Sequence, residues 1–175
     1  ALEEVESDAE EFWPLLEAAA SEALDELIAM RQSEGRSLVE DMRQRLEVIA
    51  AEARTIKERS GLVAEEYRER LRNRAEELLG ETAVDDERLE AEVVYHAERS
   101  DITEELVRLK SHLDQFREAL DSQGAVGRKL KFIVQELHRE INTVGSKAQD
   151  TATGKAVVEV KSQIEKLREQ VQNVE

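Results

Sequence analysis

Glu105 and His112 stand seven residues apart in DITEELVRLKSHLDQF, a spacing that places both on one face of a helix, two turns from each other, with Arg108 between them. A carboxylate and an imidazole on one face can bind a divalent ion, and hard oxygen donors suit Mg²⁺ or Mn²⁺. Glu104, Arg108 and Ser111 occupy the adjacent face. The plainer alternative is an i,i+4 ion pair from Glu104 to Arg108 beside a solvated His112.

The stretch GRKLKFIVQELHREINTVGSK, residues 127–147, offers a matching set. Glu136 and Glu140 are four apart on one face, and complete a metal site with Glu105 and His112 if the two helices pack antiparallel. These four are the candidate catalytic and metal-binding residues. Such a metal would activate water and stabilise a phosphodiester transition state. The alternative is again a set of surface ion pairs. Five basic residues (Arg128, Lys129, Lys131, Arg139, Lys147) surround the two acids, giving a net +3 within a chain of −16. That concentration points to an anionic partner, with Arg139 and Lys147 facing phosphate; contacts of this kind give affinity without reading sequence. His138, Asn142 and Ser146 complete the stretch. Its Asn, Thr, Gly and Ser are mediocre helix formers, so helix stability did not select them.

Other chemistries are excluded. The chain has no GxxxxGK[ST] phosphate loop, no HExxH zinc helix and no GxSxG elbow. Its three histidines, at 96, 112 and 138, form no zinc cluster without carboxylates, and Gly124 and Gly127 punctuate a loop. Tyr95 and His96 either stack on a base or sit at a helix boundary in the core or on its rim.

The elements that must position these residues all read as helix. A first helix is expected from near Asp8 to about Arg31, with Pro14 in or near its first turn and Phe12, Leu15, Leu16, Ala19, Ala23 and Leu27 as its stripe. Leu38, Met42, Leu46, Ile49, Ala53 and Ile56 then form a coiled-coil-like seam, interrupted at Ser60–Gly61 and resumed by Val63, Tyr67, Leu71, Ala75 and Leu78. Two seams joined by a Ser-Gly turn predict an antiparallel helical hairpin over 33–79, capped by Gly80 and protruding as an arm, so that deleting 36–76 leaves an 85–175 bundle folded. After the linker ETAVDD, Asp85 or Asp86 caps a helix through about Arg99, and Asp101 caps the next, with Ile102, Leu106, Leu109, Leu113, Phe116 and Leu120 as its stripe. DSQGAVG breaks that helix. Leu130, Val134, Leu137, Ile141 and Val144 define a further stripe; a last helix carries Val157, Val160, Ile164, Leu167, Val171 and Val174.

Composition agrees. With 38% charged residues, 3% aromatics, one Pro and 40% apolar residues, the 175-residue chain has the make-up of long helices rather than of a disordered polypeptide. No apolar window is long enough for a membrane span, and no secretory leader is seen. Zero cysteines exclude disulfides and thiolate metal sites and fit a reducing cytoplasm. Residues 1–30 hold ten acids and no base, a net −10 that leaves −6 for the rest, and read as a solvated helix face. The chain begins without Met, which fits a fragment of a longer protein.

The run ERSDITEELVRLKSHLDQF, with GRKLKFIVQELHREINTVGSK and the ending VVEVKSQIEKLREQVQNVE, resembles the C-terminal domain of the bacterial YicC-like family over roughly residues 90–175, and more loosely before that. Asp101, Glu104, Glu105, Arg108, Ser111, His112, Gly127, Arg128, Lys129, Glu136, Arg139, Glu140, Asn142, Ser146 and Lys147 stand in the family pattern. Lys131, His138 and Gln149 depart from it, where the family usually has Asp, Asn and Asn. Lys131 reverses a charge and rules out a metal role for that position. The resemblance implies a metal-dependent endoribonuclease that works in the bacterial cytoplasm as a ring-like homo-oligomer, usually a hexamer. It also implies a further N-terminal domain, absent here.

The resulting expectation is an all-α protein. Residues 1–84 form an acidic helix and a helical hairpin arm; residues 85–175 form a C-terminal helical bundle with coiled-coil-like seams. Its expected function is RNA cleavage with Mn or Mg held by Glu105, His112, Glu136 and Glu140, and with Arg99, Arg108, Arg128, Lys129, Arg139, Asn142 and Lys147 on RNA. No membrane contact or small-molecule cofactor is expected. A non-catalytic helical module that oligomerises and presents RNA is the alternative.

Overall fold

The computed structural model describes residues 9–79, 85–122, 124–148 and 150–174. Every regular element in these ranges is a helix: α1 Ala9–Leu79, α2 Asp86–Arg99, α3 Thr103–Asp121, α4 Gly127–Lys147 and α5 Thr151–Val171. The all-α expectation holds. Contacts divide the chain into two compact units, Ala1–Asp41 and Met42–Glu175.

In the first unit, α1 continues past Arg31 and through Gly35. Pro14 falls in the second turn of the described helix. The expected stripe is at solvent: Phe12, Leu15, Leu16 and Leu27 are exposed, as are Trp13, Leu24, Ile28 and Met30. Capping by Asp8 lies outside the described residues.

In the second unit the antiparallel hairpin expected over 33–79 does not form. The chain runs through Ser60–Gly61 without turning, so the two seams are consecutive stretches of one helix. Ser60 Oγ donates to the Lys57 carbonyl at 2.8 Å, as a helical serine does, and Gly61 keeps a negative φ. A helical glycine costs about 1 kcal/mol, less than burying one adjoining aliphatic side chain returns. Nor is this stretch an arm: Met42, Leu46, Ile49 and Ile56 are fully buried, so deleting 36–76 would strip core side chains from the bundle. Polar bridges carry α1 along its neighbours. Arg117 Nη2 meets Glu47 Oε1 at 2.9 Å, Arg43 pairs with Asp121, and Arg59 reaches Asp150 at 3.1 Å. The cap expected at Gly80 lies outside the described residues.

The later boundaries follow the local signals. Asp85 caps α2 by accepting from the amides of Glu87 and Arg88; Asp101 Oδ1 accepts from Thr103 N at 2.9 Å at the start of α3. Gly124, at φ +100°, turns the chain between α3 and α4. Asp150 caps α5 through the Thr153 amide, so that helix begins inside AQDTATGK. The predicted stripes become the core: Leu109, Leu113, Phe116, Leu130, Leu137, Ile141, Val160, Ile164 and Leu167 are all buried. Helix α4 lies between α3 and α5. At its far end α4 approaches α5 closely: a Cβ added to Gly145 would sit 3.1 Å from Val157 Cγ1.

Candidate metal centre on α3 and α4

Helices α3 and α4 are joined by a short loop and run antiparallel, as their cross-pairs show. Arg108 of α3 meets Glu140 of α4, and Glu105 meets Lys147 further along. One more turn toward the loop brings His112 opposite Glu136. The result is a cluster in which His112, Glu136 and Glu140 each offer a ligand-capable atom within 4.8 Å of the others. Glu136 and Glu140 share a face because they are one turn apart on α4. Glu140 is 4% exposed, while Glu136 and His112 are half-buried.

The donor set fits a divalent cation. Two carboxylates and an imidazole are ligands of the kind that divalent cations accept. His112 Nδ1 is buried with no hydrogen-bond partner, and a buried polar atom without a partner is costly unless something else satisfies it.

Glu105 is not part of this cluster. Seven residues from His112 is about 10 Å along the helix, so a shared face did not become a shared site. Instead Lys147 Nζ donates to Glu105 Oε1 at 2.8 Å and to the Asp101 carbonyl at 2.9 Å. Burial pushes the Glu105 carboxyl up, but the Lys147 hydrogen bond, its own backbone amide and the nearby cations outweigh this and hold it below the usual carboxylate range. Its Oε2 is buried without a hydrogen bond.

Arg108 ties the two groups together. Its Nε lies 2.9 Å from Glu140 Oε2, Nη1 lies 2.6 Å from Glu104 and Nη2 lies 3.5 Å from Glu105. The hydrogen bond to Glu140 is the main reason its guanidinium pKa is raised. The Glu104–Arg108 pair foreseen as the plainer alternative therefore exists alongside the cluster.

The expected RNA-facing residues divide into two kinds. Arg108 and Lys147 are committed to carboxylates. Arg128 and Lys129 are exposed on the first turn of α4. Arg139, 75% exposed, comes within 3.8 Å of Glu136. Asn142 hydrogen-bonds His138 Nδ1 at 3.0 Å on the exposed surface, and Arg99 lies over the Tyr95 ring, 5.6 Å from its centroid. His96 belongs to the core, stacked on Tyr67 at 3.7 Å, while Tyr95 is exposed. Sequence reasoning overlooked Phe132, an aromatic 57% exposed one turn before Glu136; its i−4 spacing from Glu136 was the available signal.

Comparison with known proteins supports the reading of these helices. The family model "Endoribonuclease YicC-like, C-terminal" matches residues 56–175. Two similar proteins are both called probable endoribonuclease YicC. The one from Clostridioides difficile is 43% identical over 175 residues, covering 99% of this chain and 60% of its own length. That from Haemophilus influenzae is 41% identical over 157 residues, covering 90% of this chain and 54% of its own. The chain thus spans little more than half the length of these relatives. With its helical cluster and this match, the chain belongs to the YicC-like endoribonuclease family.

Proposed function

We propose that the chain is the metal-binding, RNA-cleaving module of an endoribonuclease. The observation that carries this reading is the convergence of His112, Glu136 and Glu140, two of them on a helix whose first turn is basic, in a chain related to proteins named for that activity. When bound there, Mn²⁺ or Mg²⁺ would polarise a phosphoryl oxygen and make bound water more acidic. The three side chains would hold the ion, with Glu140 oriented by Arg108. Arg128, Lys129 and Arg139 would meet phosphates, and Arg99 on α2 and Asn142 on α4 are the remaining candidates for RNA contact. Lys147 and the buried Glu105 pair across α3 and α4, fixing the α3–α4 register rather than touching substrate. The family resemblance adds a cytoplasmic homo-oligomer, a hexamer, as the working form.

The exposed apolar residues between Phe12 and Met30 favour a second reading, in which the helices assemble and present RNA without cutting it. The test is cleavage of an end-labelled structured RNA with Mn²⁺, with Mg²⁺ and with EDTA, alongside His112→Ala, Glu140→Gln and Glu105→Gln. Metal-dependent cuts that disappear with the first two substitutions are expected. Glu105→Gln should keep metal binding by calorimetry. RNA bound but never cut, with or without metal, would sink the catalytic reading and leave the presenting one.

A further inference from the structure

Phe132 is a large aromatic side chain that the core does not use: it is 57% exposed, whereas Ile133 and Val134 beside it are buried. Its surroundings are unusual for an exposed phenyl ring. Arg128 is one turn before it, Lys129 three residues before and Lys131 adjacent, all exposed. Glu136 follows one turn later and Glu140 a turn after that, so Arg128, Phe132, Glu136 and Glu140 form a single i,i+4 row along α4. Helical side chains lean toward the N-terminus. Glu136 therefore covers the turn that carries Phe132, which lies about 6 Å along the axis from Glu136 and about 12 Å from Glu140.

We propose that Phe132 is a stacking platform for an unpaired RNA base next to the nucleotide whose phosphate sits at the His112–Glu136–Glu140 cluster. This rests on the RNA reading above and adds a specificity to it. A phenyl ring ringed by cations fits a nucleobase attached to a phosphate backbone: the ring takes the π-face while the cations take the phosphates on either side. A base paired within a duplex cannot present that face, and A-form RNA offers side chains little else to read. The row thus selects single-stranded segments, loops or bulges at the point of cleavage, and does so without choosing among the four bases.

The experiment measures binding in EDTA, so that the metal site plays no part. Oligoribonucleotides carrying one 2-aminopurine, single-stranded or annealed, are titrated with the wild-type chain and with Phe132→Ala, Phe132→Leu and Phe132→Trp. Single-stranded affinity should fall about 10-fold in Phe132→Ala and Phe132→Leu and persist in Phe132→Trp. Quenching of the 2-aminopurine should follow the aromatic ring, and duplex binding should not change. Unchanged circular dichroism in all variants shows that the exposed position is not structural. Single-stranded binding unaffected by Phe132→Ala, or fully kept by Phe132→Leu, would overturn the stacking role while leaving the RNA reading intact. A change of sedimentation with RNA affinity untouched would overturn it too, by making Phe132 a protein contact. No RNA binding by the wild-type chain would remove both readings together.

Discussion

Arg108 Nε lies 2.9 Å from Glu140 Oε2, so the most buried carboxylate of the candidate metal cluster is held from the neighbouring helix by a cation. A positioned ligand loses less freedom when an ion arrives, which is the service that partners behind the ligands usually give. Arg108→Gln is expected to weaken Mn²⁺ binding about 10- to 100-fold by calorimetry. Glu104→Gln, altering a partner that is 79% exposed, should change it little. If Arg108→Gln binds Mn²⁺ more tightly than the wild type, Arg108 competes with the ion instead of orienting its ligand.

Acid should loosen the attachment of α1 to α5. The hydrogen bond from Arg59, joined by the Thr153 amide, holds the Asp150 carboxyl at about 2, against an ordinary 3.8. A carboxyl depressed in the folded state adds stability above its unfolded pKa and loses it as pH falls through the folded one. The stability from Asp150 is therefore complete above about pH 4 and disappears toward pH 2, on the order of 2 kcal/mol. Urea denaturation across that window should show a flatter acid limb for Arg59→Met; a wild-type slope in the variant would contradict the assignment.

Gly145 lets α4 approach α5, and a Cβ there would meet Val157 Cγ1 at 3.1 Å. Ala requires a small adjustment by Val157. Gly145→Leu cannot be absorbed without separating the helices and should cost about 2 kcal/mol, read as a lower urea midpoint. Pairing it with Val157→Ala should recover part of the loss, because the two changes share one space.

Leu46 lies on α1 with no exposed surface. Leu46→Ala should destabilise the chain by about 3 kcal/mol, with loss of helical signal in α3–α5 as well as α1. Loss confined to α1, with the remaining helices melting as before, would restore the independent arm that the sequence pattern suggested.

Much of the fold was legible in local pattern. Stripes at helical spacing named the buried faces of α3, α4 and α5, and Asp85 marked the start of α2 because a short carboxylate accepts the orphan amides there, while Asp101 sits one residue before the N-cap of α3. Ser60–Gly61 misled for the same reason: a helix breaker and a tolerated helical glycine look identical in one dimension. The burial of Ile56 and the long-range bridges of Arg43, Glu47 and Arg59 decide between them, and those partners are 70 or more residues away along the chain.

The candidate site divides along the same line. By itself the sequence marked which side chains could offer ligand atoms, Glu105 among them, that Glu136 and Glu140 share a helical face, and which family the pattern resembles. It could not determine the register of α3 against α4, because register is set by the packing of both stripes and not by either one. That register sent His112 to Glu136 and Glu140 and sent Glu105, two turns away, to Lys147. A helical face is a line about 10 Å long over two turns, whereas a metal site is a point, and only the tertiary structure chose which part of the line became the point.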